Sequence, residues 1–173
     1  MRICGIDPGL KLTGYGVIDF SPTRPRVVDA GIIRLSPKLT VAERLVELEQ
    51  SLVDIFAEHK PAMVAVEKLY AHYAHPATAI IMGHGRGVVM LCAQRAGITL
   101  KEFAANRVKR ALVGFGHAGK AQMQRGIASI FQLKEIPEPP DVADALAIAL
   151  CCGREMASGV QELSRLKLMK GRA

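Results

Sequence analysis

Four acidic residues stand where apolar runs begin or end. Asp7 closes MRICGI and is followed at once by Pro8-Gly9, Glu67 closes AMVAV, and Asp141 and Asp144 open DVADALAIALCC. A carboxylate at the tip of a buried segment must find a partner or face water. Four that meet in one place repel one another unless cations stand among them. Hard carboxylate oxygens suit Mg2+ or Mn2+, which keep some waters and bind phosphate oxygens. Two such ions about 3.5–4 Å apart would activate a water and stabilise the leaving oxygen of a phosphodiester. Each acid alone has a plainer alternative. Asp141 is a possible N-cap, Asp144 suits the positive end of a helix, and Asp7 could cap the Pro8-Gly9 turn.

Charge points to the same substrate class. The net charge is +7, which suggests a polyanionic partner, nucleic acid before membrane. Lys101, Arg107, Lys109, Arg110, Lys120 and Arg125 cluster in the middle of the chain against Glu102 alone, a candidate phosphate-binding stretch. The end of the chain adds Arg165, Lys167, Lys170 and Arg172 against Glu162. No run approaches the roughly 18 uninterrupted apolar residues of a membrane span, and no signal peptide is visible. Cys4, Cys92, Cys151 and Cys152 have neither metal-site nor disulfide spacing, the adjacent Cys151-Cys152 in an apolar run reads as core packing, and a reduced, cytoplasmic protein is expected. With 173 residues, one domain over 1–154 and a flexible basic tail over 155–173 are expected.

The elements that must position the acids follow from periodicity. Residues 1–6, 12–20 and 26–34 are three strand-like runs joined by short turns, an antiparallel meander. Thr40 and Glu43 form a capping box, and apolar positions from Val41 to Phe56 recur at helical spacing, giving a helix over 41–59. Residues 62–66 are wholly apolar, as in a central strand buried on both faces. Pro76 starts a helix running to about Arg95. A fifth strand covers 98–100, and helices follow near 105–112, 119–131 and 141–154. The order implies an α/β sandwich around a mixed sheet. Asp7 and Glu67 then lie at the C-terminal tips of central strands, the edge where open α/β sheets bind ligands.

The motifs GIDPGLKLTGYGV, VAVEKLY, VKRALVGFGHAGK and DVADALAIA, taken together, closely resemble those of the RuvC-type Holliday junction resolvases of bacteria, over about residues 1–154. The resemblance implies a ribonuclease H-like fold: a five-stranded mixed sheet, three strands as a meander and two parallel, flanked by helices. It implies a metal-dependent endonuclease that resolves four-way DNA junctions by paired symmetric nicks in recombination and repair. Asp7, Glu67, Asp141 and Asp144 match the family's metal-binding catalytic acids, with two Mg2+ ions per subunit and Mn2+ as a substitute. A histidine can replace the first acid of the last motif in this family, and here Asp141 keeps the all-carboxylate form. Lys109 and Lys120 match positions that hold the DNA backbone, flanked by Arg107 and Arg110 of the basic cluster. Tyr70 matches an aromatic that stacks on a base at the crossover, with an ordinary loop tyrosine as its alternative. The family also implies a homodimer and, as a partner, the RuvA–RuvB branch migration complex.

GHGRG at 83–87 puts three glycines into a helical window, each costing roughly 1 kcal/mol against alanine. No strand precedes it and no Lys-Ser/Thr follows, which argues against a phosphate-cradling loop. Gly83 and Gly87 share a helix face and would let another helix approach, with Ile80, Val88 and Leu91 as apolar contact, in the helix the family uses for its dimer. His72, His75, His84 and His117 show no metal spacing. Two rival functions remain open: a ribonuclease H-like hydrolase of RNA–DNA hybrids, and a DNA-binding module without catalysis.

Overall fold

The computed structural model describes residues 1–69, 76–114 and 119–170, with backbone alone at 76–78, 113 and 160–170. Three strands, β1 (Arg2–Asp7), β2 (Leu12–Asp19) and β3 (Arg26–Arg34), form the expected antiparallel meander. Helix α1 (Val41–His59) starts on the Thr40 capping box, in which Thr40 Oγ1 accepts from the Glu43 amide and the Glu43 carboxylate accepts from the Thr40 amide. Strand β4 (Met63–Glu67), helix α2 (Pro76–Arg95) and strand β5 (Thr99–Phe103) follow. Strands β4 and β5 add parallel to β1, giving one five-stranded sheet in the order β3-β2-β1-β4-β5. Helices α3 (Ala105–Val113), α4 (Lys120–Phe131) and α5 (Pro140–Lys170) complete the chain.

The sheet separates two cores. Ile3, Ile18, Met63 and Ala65 pack with α3, α4 and α5 on one face. Cys4, Ile6, Val17, Val64 and Val66 pack with α1 and α2 on the other. The alternation follows from the period-2 side-chain direction of a strand, and it explains why β1 and β4 are apolar throughout. All four cysteines are buried thiols without disulfide partners. No helix among the described residues is long and apolar enough to cross a membrane.

Three elements differ from the sequence expectation. The fifth strand extends to Phe103 instead of ending at 100, because its polar residues are paired: Glu102 meets Arg86, and Lys101 lies 3.5 Å from Glu155. The last helix begins at Pro140 and continues to Lys170 instead of stopping at 154. Gly153 looks like a stop signal but lies mid-helix, where a β-carbon would collide with the Phe20 ring. Asp141 accordingly sits inside the first turn of α5 rather than capping it. Val88 packs inward against the α1–α2 core, so it is not part of the outer face of α2.

Candidate active site

The strand alternation decides where the acids point. In β1, Ile3 and Gly5 face α5 while Cys4 and Ile6 face α1 and α2. Asp7 is next in the first series. In β4, Met63 and Ala65 face α5 while Val64 and Val66 face away, so Glu67 continues the α5-facing series too. The parallel register pairs Ile6 with Val66, one residue short of both acids. Two carboxylates therefore emerge side by side at one edge of the sheet, on one face.

The other two arrive on α5, whose first half carries Ala143, Ala145, Ala147 and Ala149, all buried. Small residues on both sides let this helix lie unusually close to β1 and β2. A β-carbon on Gly5 would collide with the Ala145 carbonyl, and one on Gly14 with the Asp141 carbonyl. Asp141 and Asp144, three apart, share the helix face directed at the strand tips.

The turn after Asp7 is fixed from two sides. Thr13 is fully buried and its hydroxyl donates to the Gly9 carbonyl at 2.7 Å while accepting from the Gly9 amide at 3.2 Å. Arg44 of α1 donates to the Leu10 carbonyl at 2.9 Å. None of these three bonds touches the Asp7 carboxylate, which is left for another partner.

Electrostatics show that the acids feel one another. Burial first, then Asp144, Glu67 and Asp141, push the Asp7 carboxyl up to about 7, against the lowering influence of Lys120. Burial and then Asp144 raise Glu67, opposed by Lys109. Burial likewise raises Asp144, with Lys120 and Lys109 opposing and Asp141 adding to the rise. A cleft of about 350 Å³ is lined by Glu67, Asp144, Lys109 and Lys120, and a second hollow by Asp7 and Asp141. Among the described residues none of the four acids has an ion-pair partner. Mutually repelling carboxylates of this kind, half-neutralised by two lysines, fit a hard divalent cation in chemistry. As the side chains stand, no three such groups among the described residues enclose a point where an ion would sit. The carboxylates would have to draw together to close on one.

The sequence model of the family described as crossover junction endodeoxyribonuclease RuvC matches residues 3–152. The chain belongs to the RuvC family.

A crossover junction endodeoxyribonuclease RuvC of Rhodopirellula baltica is 44% identical over 149 residues, covering 86% of this chain and 84% of that protein. The RuvC of Pelotomaculum thermopropionicum is 42% identical over 151 residues, 87% and 92% of the two chains. Among solved structures, T. thermophilus RuvC in complex with a Holliday junction substrate superposes with a TM-score of 0.82 at 33% identity, over 87% of this chain and 92% of that one. RuvC nucleases are metal-dependent. The five-stranded mixed sheet with its flanking helices is the ribonuclease H-like architecture of this family.

Other expected site residues fall into three groups. Lys109 and Lys120 line the acid cleft. Arg107 and Arg110 lie on another side of α3, and Arg107 is within 2.5 Å of Glu155. Tyr70, His72, His75 and His117 lie outside the described residues. The sequence reading missed Glu155, which holds both Arg107 and Lys101. No spacing signal could have exposed it, because it belongs to the part of α5 that was expected to be tail.

Proposed function

We propose that this chain resolves four-way DNA junctions by hydrolysing one phosphodiester in each of two symmetry-related strands, with Asp7, Glu67, Asp141 and Asp144 as its metal-holding catalytic carboxylates. The observation that carries the reading is the electrostatic coupling of these four acids at one sheet edge, beside two lysines. The metal would be Mg2+, or Mn2+ in its place, and two ions per subunit supply Lewis acidity at the phosphodiester when bound. The chain's own residues do the rest. Lys109 and Lys120 are placed to attract the phosphate flanking the scissile bond as point charges. Arg107 and Arg110 extend that positive surface, and Tyr70 stacks on a base unpaired at the crossover.

Paired nicks require two active sites, and the chain carries one set of acids. We infer a C2 homodimer, which supplies two sites related by the symmetry of the junction. Support comes from α2, where Ile80 and Leu91 are 61% and 46% exposed and a β-carbon at Gly87 would meet nothing within 4 Å among the described residues. In this reading residues 1–154 form the nuclease domain and 155–173 a basic extension of it. The enzyme works on the chromosome in the cytoplasm, with the RuvA–RuvB branch migration complex as partner.

Cleavage of synthetic four-way junctions with Mg2+, Mn2+, Ca2+ or chelator tests the proposal. Mg2+ and Mn2+ should support paired nicks, Ca2+ binding alone, and chelator no cleavage. Nicking in chelator, or equal hydrolysis of an RNA–DNA hybrid, would overturn it.

A further inference from the structure

Helix α3 separates two concave surfaces. Lys109 faces the acid cleft with Glu67 and Asp144. Asn106, Arg107 and Arg110 of the same helix line a second groove, whose far wall is α5 with Arg154, Glu155 and Ser158. Three guanidinium groups, an amide and a hydroxyl stand there against a single acid. That donor set matches phosphate oxygens, which arginine forks and Asn or Ser side chains contact without reading sequence. No aromatic ring is among the lining residues, so the groove offers nothing for bases to stack on.

The cations in and around the groove are not equally available. Glu155 lies 2.5 Å from Arg107 and 3.5 Å from Lys101, so one carboxylate occupies two cations. The Arg107 contact has the distance of an ion pair but leaves the Glu155 oxygen without an aligned hydrogen bond. Arg154 donates one N–H to the Ala111 carbonyl, which fixes its guanidinium at the wall. Arg110 is exposed and makes no ion pair among the described residues.

We propose that the groove between α3 and α5 holds the phosphate backbone of one duplex arm of the junction, through Arg110 and Arg154, while Glu155 restrains Arg107 and Lys101 and thereby limits binding to ordinary duplex. The proposal rests on the reading that junction DNA lies over the acid cleft. Lys109 and Arg110 are consecutive, so the two surfaces are no further apart than the width of a helix with its side chains, about 10–12 Å. An arm leaving the crossover past Lys109 therefore meets Arg110 next. An acid set among these cations costs affinity on any duplex. Linear duplex has little else to hold it, so Glu155 keeps non-specific binding weak.

The test is equilibrium binding in Ca2+ to a four-way junction and to a linear duplex of the same sequence, across a salt series. Glu155→Gln should tighten duplex binding about fivefold and steepen its log–log salt slope by about one to two, as Arg107 and Lys101 gain phosphate contacts. Arg110→Ala should flatten the slope by about one on both DNAs. If Glu155→Gln loosens the fold, seen as a lost circular dichroism melt, Arg110→Ala alone decides. An unchanged slope in Arg110→Ala, or a Glu155→Gln that folds and binds duplex no more tightly, would overturn this proposal. Wild-type protein that neither binds nor nicks junctions would instead sink the junction reading itself.

Discussion

Gly14 lies so close to the carbonyl of Asp141 that a β-carbon at Gly14 would collide with it. The same glycine is the cross-strand partner of Asp7. One missing side chain thus sets the gap between two carboxylates that come from opposite ends of the chain. Gly14→Ala must displace backbone rather than the end of a flexible side chain. We expect a stability loss of about 1–3 kcal/mol, and a fall in cleavage of roughly 100-fold from misplaced acids. Urea unfolding and single-turnover junction cleavage measure the two effects. Full cleavage activity in this variant would show that the Asp7–Asp141 spacing is not critical.

The second prediction concerns Asp7 and pH. Its carboxyl is held at about 7 in the folded chain against an ordinary 3.8, mainly by burial and then by Asp144. The folded state therefore binds this proton more tightly than the unfolded one. Its contribution to stability is fully present below about pH 4 and is lost as pH rises through about 7. Glu67 and Asp144 shift in the same direction. Metal-free Asp7→Asn should thus be more stable than wild type above pH 7, on the order of 2–4 kcal/mol, and no more stable at pH 4. Cleavage should be abolished while junction binding survives. Thermal melts in chelator at several pH values decide the first point. Asp7→Asn melting below wild type at pH 8 would contradict it.

These two predictions draw on parts of the site that differ in how far the sequence shows them. Asp7 and Glu67 are legible because strand alternation runs unbroken up to each, so their face follows from counting by two. Asp141 and Asp144 are legible because an almost wholly apolar helix begins at them. The close seat of α5 is less visible: Gly5 and Gly14 read as weak points in strands until the helix is laid against them. The length of α5 is hidden by Gly153, whose packing partner, Phe20, is far away in sequence. The polar half of β5 is hidden for a similar reason, since Lys101 and Glu102 are matched only by residues on α5 and α2. Counting Lys101 and Arg107 as free cations fails on that account, because charge composition says nothing about which cations are already paired.

A third prediction separates the two lysines of the cleft. Each should lower the salt slope of junction binding by about one when changed to alanine, if each meets one phosphate. They differ in what else they do. Lys120 lowers the proton affinity of Asp7, and Lys109 that of Glu67. Lys120→Ala should therefore move the acidic limb of the pH–rate profile upward through Asp7. Lys109→Ala should do so through Glu67. The Asp7→Glu background, which alters the first acid only, should change the size of the Lys120→Ala shift more than that of Lys109→Ala. A lysine whose removal changes neither slope nor pH profile is a solvated surface residue.

The fourth prediction is the assembly. The outer face of α2 exposes Ile80 at 61% and Leu91 at 46%, while Val88 turns inward and Gly87 leaves open space between them. Solvated apolar side chains on either side of a glycine are what a second helix needs to come close, since the missing β-carbon lets the two backbones approach. Gly87→Leu should fill that space with a branched side chain and weaken the dimer by at least tenfold in Kd, about 1.4 kcal/mol. It should not harm the fold, because among the described residues nothing outside the helix's own backbone lies within 4 Å of the new β-carbon. Sedimentation velocity across a concentration series reads the association. The functional consequence is specific: each acid centre stays intact, so total nicking of a junction persists while the share of paired nicks in one binding event falls. Ile80→Asp, which adds charge to the same face, should act in the same direction. A Gly87→Leu protein that still sediments as wild type would remove this helix from the interface, and paired symmetric nicking by a form that stays monomeric on DNA would remove the need for a dimer altogether.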